Sequence, residues 1–166
     1  MVKRIVVISL FAGFIFSSCT QKQAEETKPH IVFVLADDWG YGDLSWFNGE
    51  VETPNLERLA SQSTVFTQFH VTSGVCSPSR ASVITGHFPA HHRVHGHFAG
   101  NEVNARRDMP NWLNENLPVY LPRLMQKAGY VTAHYGKWHL GGEGLPNGDT
   151  TAPEPKIYGY DDTRVW

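Results

Sequence analysis

From His30 the chain runs through Ile31, Val32, Phe33, Val34 and Leu35 without a polar break, the pattern of a strand covered on both faces of a parallel sheet. No other feature constrains the fold as strongly, because such a strand requires neighbouring strands and a helix layer on each side. The run stops on Asp37 and Asp38, followed by Trp39, Gly40, Tyr41, Gly42 and Asp43. Thr53 as N-cap and Pro54 at the first helical position then predict a helix through Ala60. Val65 to Val71 reads as a second strand. Pro78 opens another helix, which Ser77 can cap and Gly86 ends. Leu121, Leu124, Met125 and Ala128 recur at helical spacing and predict an amphipathic helix stopped by Gly129. Tyr130 to Tyr135 is a third strand, running into Gly136, Lys137, Trp138 and His139. Strands and helices alternate, so the expected fold class is α/β, with a mostly parallel sheet flanked by helices. Residues 87–119, rich in His, Asn and Pro, read as a long irregular excursion over the sheet edge that can contribute to a cleft.

Polar clusters follow the strands, and in open α/β sheets ligands sit outside the carboxyl ends of strands, so segments far apart in sequence can converge there. Asp37 and Asp38 place two carboxylates side by side. A lone Asp at that position more often caps a turn, whereas the repulsion within a pair is relieved by a hard cation, calcium or magnesium rather than zinc. Cys76 precedes the helix that Pro78 opens, with Arg80 one turn in; helix starts carry partial positive charge and favour an anion or an activated nucleophile. A cysteine-phosphatase loop would need five residues between Cys and Arg, and here there are three. A packed thiol leaves the Ser77, Pro78, Ser79, Arg80 sequence unexplained. Lys137 and His139 are two apart in an extended segment and can face one pocket. Each alone is most simply a surface cation or a satisfied histidine; with the other two clusters they read as an anionic-substrate site. His87, His91, His92, His95 and His97 lack partners at zinc-ligand spacing, and Pro89 breaks their register, so they are expected to be loop residues with one or two lining the cleft.

The first residues belong to export rather than to the fold. Lys3 and Arg4 precede an apolar stretch from Ile5 to Phe16, too short to span a bilayer as a helix, and Ser17, Ser18 and Cys19 follow. Small residues directly before a cysteine resemble the bacterial lipobox, although Phe16 stands where Leu is usual. The expected organisation is a lipoprotein signal peptide over 1–18, a polar tether over 19–29 and a catalytic portion over 30–166, with the product exported, periplasmic or at the cell surface, and anchored to the membrane through lipidated Cys19. Cys76 is then the only thiol left in an oxidising compartment, which calls for a reason. A net charge of −2 and no basic run longer than Arg106-Arg107 make nucleic acid a poor partner.

Taken together, these segments resemble the N-terminal part of a sulfatase of the alkaline phosphatase superfamily. Gly74 to Gly86 follows the signature built on Cys-x-Pro-x-Arg throughout, and Gly129 to His139 follows the second signature except at Tyr135, where a small or β-branched residue is usual. Asp37 to Asp43 and Thr53 to Ala60 are similar to family segments as well. The resemblance implies an alkaline-phosphatase-like fold, incomplete at the C-terminus, and a calcium-dependent sulfuric ester hydrolase. Its nucleophile would be a Cα-formylglycine made from Cys76 by a maturation enzyme. One hydroxyl of the hydrated aldehyde would attack sulfur and the other would expel sulfate. Asp37, Asp38 and the converted Cys76 would hold calcium, Arg80 would hold the diol and metal loop, Lys137 would neutralise the sulfate, and His139 would serve the diol as base. The substrate would be a sulfated small molecule or a sulfated carbohydrate. The family's other calcium ligands lie downstream of anything present after Gly142, so the chain reads as a fragment or a truncated frame. Two alternatives stand beside this reading: a phosphate or phosphonate ester hydrolase of the same superfamily, and a non-catalytic remnant.

Overall fold

The structure is a computed structural model that describes residues 27–47, 49–141 and 152–166. The leader over 1–18, Cys19 and most of the tether lie outside the described residues. The chain divides into a unit ending at Leu35 and a unit from Ala36 to Trp166, and the architecture that follows belongs to the second. In chain order its helices are α1 (Pro54–Ser61), α2 (Cys76–Thr85), α3 (Pro89–His92), α4 (Asn101–Arg106) and α5 (Leu121–Lys127). Strands β1 (Ala133–Gly136) and β2 (Asp162–Val165) pair in parallel, Ala133 opposite Asp162 and Gly136 opposite Val165.

Local signals are obeyed where they depend on backbone chemistry alone. Pro54 is the first residue of α1, and Thr53 stands at the N-cap position, but its hydroxyl bonds Ser45 Oγ at 2.6 Å instead of capping the helix. Gly86 ends α2 in the left-handed region at φ 68°, donating its amide to Ser82. After α5, Gly129 adopts φ 83° and the Tyr130 amide reaches back to the Met125 carbonyl at 3.0 Å, the reverse turn that glycine permits at a helix end. Helix α2 differs in its start: Val75 is the N-cap, Cys76 is already helical, and Ser77 does not cap because its hydroxyl is engaged elsewhere. Pro78 is tolerated because it falls in the first turn, where backbone amides have no helical acceptor.

Two expected strands do not form. Residues 31–35 and 65–71 have no ladder partner, and their side chains are exposed, Val32 at 86% and Phe69 at 80%. An inner parallel strand takes hydrogen bonds from a neighbour on each side, and among the described residues β1 and β2 pair only with each other. The third strand forms three residues later than the apolar pattern suggests, pinned by Thr132. That residue's amide donates to Asp161 Oδ2 at 2.8 Å, its hydroxyl to the Gly159 carbonyl at 2.6 Å, and its carbonyl receives the amides of Asp161 and Asp162. The apolar face expected of α5 is also open, with Leu121 and Leu124 exposed and Pro122 the buried residue. The excursion over 87–119 is less irregular than its composition suggests, since it contains α3 and α4.

The core gathers around Trp138, Tyr120 and Tyr158, whose rings pack in sequence with Tyr158 5.3 Å from each of the others. Tyr158 donates its hydroxyl to the Leu113 carbonyl at 2.6 Å, so its burial leaves no polar group unsatisfied. Each such ring contributes roughly 3 kcal/mol of transfer free energy. Helix α2 lies against this core, and its buried polar side chains are all partnered: Ser77 by the Phe98 amide, Ser82 by His92, Thr85 by the Ala81 carbonyl, and Arg80 by Asp37 and the Lys137 carbonyl. That pattern fixes the helix in one rotation, because turning it would strand these groups without partners.

Candidate active site

Cys76 and Arg80 sit one turn apart on α2 and therefore share a face. Across from them, Trp138 is buried in the core, so its chain neighbours Lys137 and His139 face away from it toward α2. His139 brings Nδ1 to 3.2 Å from Cys76 Sγ, and the residue adopts a left-handed φ of 53°, unusual for a side chain with a Cβ. Arg80 donates from one terminal nitrogen to the Lys137 carbonyl at 2.7 Å and from the other to Asp37 Oδ1 at 3.1 Å. Lys137 Nζ reaches Asp37 Oδ2 at 2.6 Å. Asp37, Cys76, Arg80, Lys137 and His139 thus form one connected cluster.

Charges in the cluster are mutually adjusted. The Lys137 ammonium, and then Arg80, hold the Asp37 carboxyl below its ordinary range, and the same contact raises Lys137. Burial, reinforced by the positive charge of Lys137, lowers the His139 imidazole, so its neutral form prevails at neutral pH. Arg80 is almost wholly buried, yet its Nε has no acceptor. A buried guanidinium nitrogen left over after two good hydrogen bonds is an unsatisfied donor.

Asp38 stands apart from this network: it takes φ 54° and makes no hydrogen bond or ion pair among the described residues. Asp37 and Asp38 are hard oxygen donors, and each oxygen of Asp37 keeps a lone pair beyond its single cation contact, so the pair fits calcium in kind. It does not fit in number, because calcium takes about six to eight oxygens, and the described residues contain no cluster of three or more acidic, His or Cys ligands. The histidines of the excursion divide. His92 is a buried core residue, His87 stacks on His91 with ring centroids 5.6 Å apart, and His97 lies with its ring 6.4 Å from that of His139. Sequence reasoning missed what the Ser77 hydroxyl does. A hydroxyl beside the cysteine reads as a helix cap, whereas in the structure it accepts the Phe98 backbone amide, a partner that leaves no signal in the sequence.

Residues 29–153 match the sulfatase family. Arylsulfatase G of Homo sapiens is 40% identical over 139 residues, covering 81% of this chain and 25% of the relative. N-acetylgalactosamine-6-sulfatase of Mus musculus is 42% identical over 120 residues, covering 68% of this chain and 22% of the relative. Among solved structures, Ps i-CgsB superposes with a TM-score of 0.63 at 28% identity, covering 84% of this chain and 28% of that one. yidJ of Bacteroides fragilis, described as a sulfatase, gives 0.61 at 28% identity over 74% of this chain and 26% of its own. The chain thus spans about a quarter of the length of the curated relatives it matches. Its fold class is the alkaline-phosphatase-like α/β class of these neighbours, present here in part. The chain belongs to the sulfatase family.

Proposed function

We propose that this chain carries the nucleophile-bearing part of an exported sulfuric ester hydrolase, with Cys76 converted to Cα-formylglycine. The observation that carries the reading is Cys76 on the first turn of α2, within hydrogen-bond reach of His139 and on the same face as Arg80. A hydrated aldehyde at position 76 would bring two oxygens to the place where the thiol now meets His139. The modification supplies one hydroxyl that attacks sulfur and a second that lets sulfate leave, a release route a plain serine lacks. Arg80 and Lys137 lower the cost of gathering negative charge beside Asp37. His139, neutral and poised against position 76, takes the proton. Asp37 and Asp38 would supply part of a calcium shell whose remaining oxygens they do not provide, and calcium held there would polarise sulfate oxygens. The sulfatase relatives support a sulfated small molecule or a sulfated carbohydrate as substrate. The maturation enzyme that makes formylglycine is a required partner, and lipidated Cys19 holds the product to the membrane on the periplasmic or outer face.

Aryl sulfate and aryl phosphate offered side by side to the full gene product test the reaction class. Sulfate is expected to be the better substrate, and a clear phosphate preference would overturn the assignment. In a host that matures other sulfatases, the tryptic peptide after Arg58 and ending at Arg80 should carry an aldehyde in place of the thiol; a fully alkylatable Cys76 would defeat the nucleophile assignment. Cys19→Ala should release the protein from membranes, and unchanged association would count against lipidation.

A further inference from the structure

Lys137 enters the cluster twice, through its ammonium and through its backbone. Its carbonyl accepts Arg80 Nη1 at 2.7 Å and also meets His134 Nε2 at 3.3 Å, two donors for the two lone pairs of one oxygen. A carbonyl can only accept, so the imidazole nitrogen that faces it is Nε2–H. His134 lies on the half-buried face of β1, between the exposed Ala133 and Tyr135, with its ring centroid 5.3 Å from that of Trp138 and 5.3 Å from that of Tyr160. Those two rings fix where the imidazole stands, and burial lowers its pKa, so the neutral ring is the donor at neutral pH. Gly136, at φ 110°, turns the chain directly before Lys137. Glycine is the most pliable residue a turn can have, and the contact from His134 to the Lys137 carbonyl spans it.

We propose that His134 is a positioning residue: as an Nε2–H donor it clamps the Lys137 peptide across the Gly136 turn, which aims the Lys137 carbonyl at Arg80 and the Lys137 ammonium at Asp37. Its importance for turnover rests on the sulfatase reading of the cluster; the clamp itself does not. A histidine that merely filled the space between Trp138 and Tyr160 would be replaced best by phenylalanine, which keeps a ring and drops the donor. A histidine that acts through Nε2–H is replaced best by glutamine, whose side-chain amide nitrogen stands in for Nε2 while the ring is lost.

The test uses the full gene product from a host that matures sulfatases, labelled with 15N-histidine for spectroscopy. Long-range proton–nitrogen spectra at mildly alkaline pH should show His134 as the Nε2–H tautomer, and an Nδ1–H tautomer overturns the proposal. With an aryl sulfate, His134→Phe should lower kcat by about 10-fold with KM within about threefold, because the cations stay near the substrate but lose their aim, whereas His134→Gln should keep at least about half of kcat. The reverse order, with phenylalanine the better replacement, assigns His134 to packing and overturns the clamp, as does a kcat in His134→Phe equal to that of the unsubstituted protein. If His134→Phe fails to fold, the tautomer and His134→Gln still decide, and a 10-fold loss in His134→Gln counts against the proposal. Absence of turnover in the unsubstituted protein would sink the sulfatase reading and leave the tautomer to decide the clamp.

Discussion

His92 and Arg80 are both buried ionisable side chains, and their environments treat charge in opposite ways. His92 accepts the Val94 amide at Nδ1, 3.2 Å away, which leaves Nε2–H to donate to Ser82 Oγ at 3.1 Å. Burial, helped by the nearby histidines His95, His87 and His91, pushes its pKa down to about 4. A folded value below the ordinary one means the unfolded chain binds the proton more readily. The contribution is therefore complete above about pH 6.5 and is lost as pH falls toward 4, amounting to at most about 3 kcal/mol. Thermal melts should show a lower Tm at pH 4.5 than at pH 7.5, and His92→Gln, less stable at neutral pH, should flatten that difference; an unchanged slope would remove His92 as its source. Arg80 must instead stay charged, and its planar fork bridges Asp37 and the Lys137 carbonyl together. Lysine can satisfy one of those acceptors but not both. Arg80→Lys is expected to cost about 2 kcal/mol in urea unfolding, and a loss below a few tenths would show that the bridge holds nothing together.

Helix ends and the close approach before β2 separate what was legible in the sequence from what was not. Gly86 needs only its left-handed φ, since a Cβ there meets nothing, so Gly86→Ala should cost about 1 kcal/mol. Gly159 adopts φ 106°, and a Cβ would lie 2.7 Å from the Arg123 backbone nitrogen, so Gly159→Ala should cost at least about twice as much and loosen α5 from the segment before β2. Paired denaturation curves test the order, and equal losses would contradict it. Gly86, Gly129 and Pro54 could be read in advance because their effect is set by their own φ and hydrogen-bonding capacity. The run from Ile31 to Leu35 says only that the segment wants cover, not which strand supplies it, so strand formation there could not be settled locally. β2 escaped notice because Asp162, Thr163, Arg164 and Val165 have the polar look of a loop, yet they form a half-exposed edge. Within the site, Cys76 with Arg80 and Lys137 with His139 were legible from turn and strand spacing. The carbonyl of Lys137 that orients Arg80 was not, since any residue type supplies a carbonyl.

At the scale of the molecule, apolar surface rather than the site limits what these 166 residues do alone. Val131 is 87% exposed and Phe66 73%, and β1 and β2 form a two-stranded sheet with little covering its open face. A sheet of that size is marginal unless further strands or helices cover it, and exposed strand-forming segments invite self-association. The candidate cluster meets the same limit from the other side: among the described residues two adjacent carboxylates fall well short of a calcium shell, so added calcium is not expected to complete the charge arrangement around position 76. The 166-residue chain in isolation is therefore expected to bind 8-anilinonaphthalene-1-sulfonate, to elute from size exclusion as more than a monomer, and to lack turnover of an aryl sulfate even in millimolar calcium. Conversion of Cys76 should still occur in a maturing host, because the Cys76 to Arg80 sequence is intact and would be read before folding. The four measurements separate cleanly: aldehyde without turnover is the expected result, whereas turnover abolished by Cys76→Ala would show that the carboxylates, cations and histidine already in place suffice for catalysis.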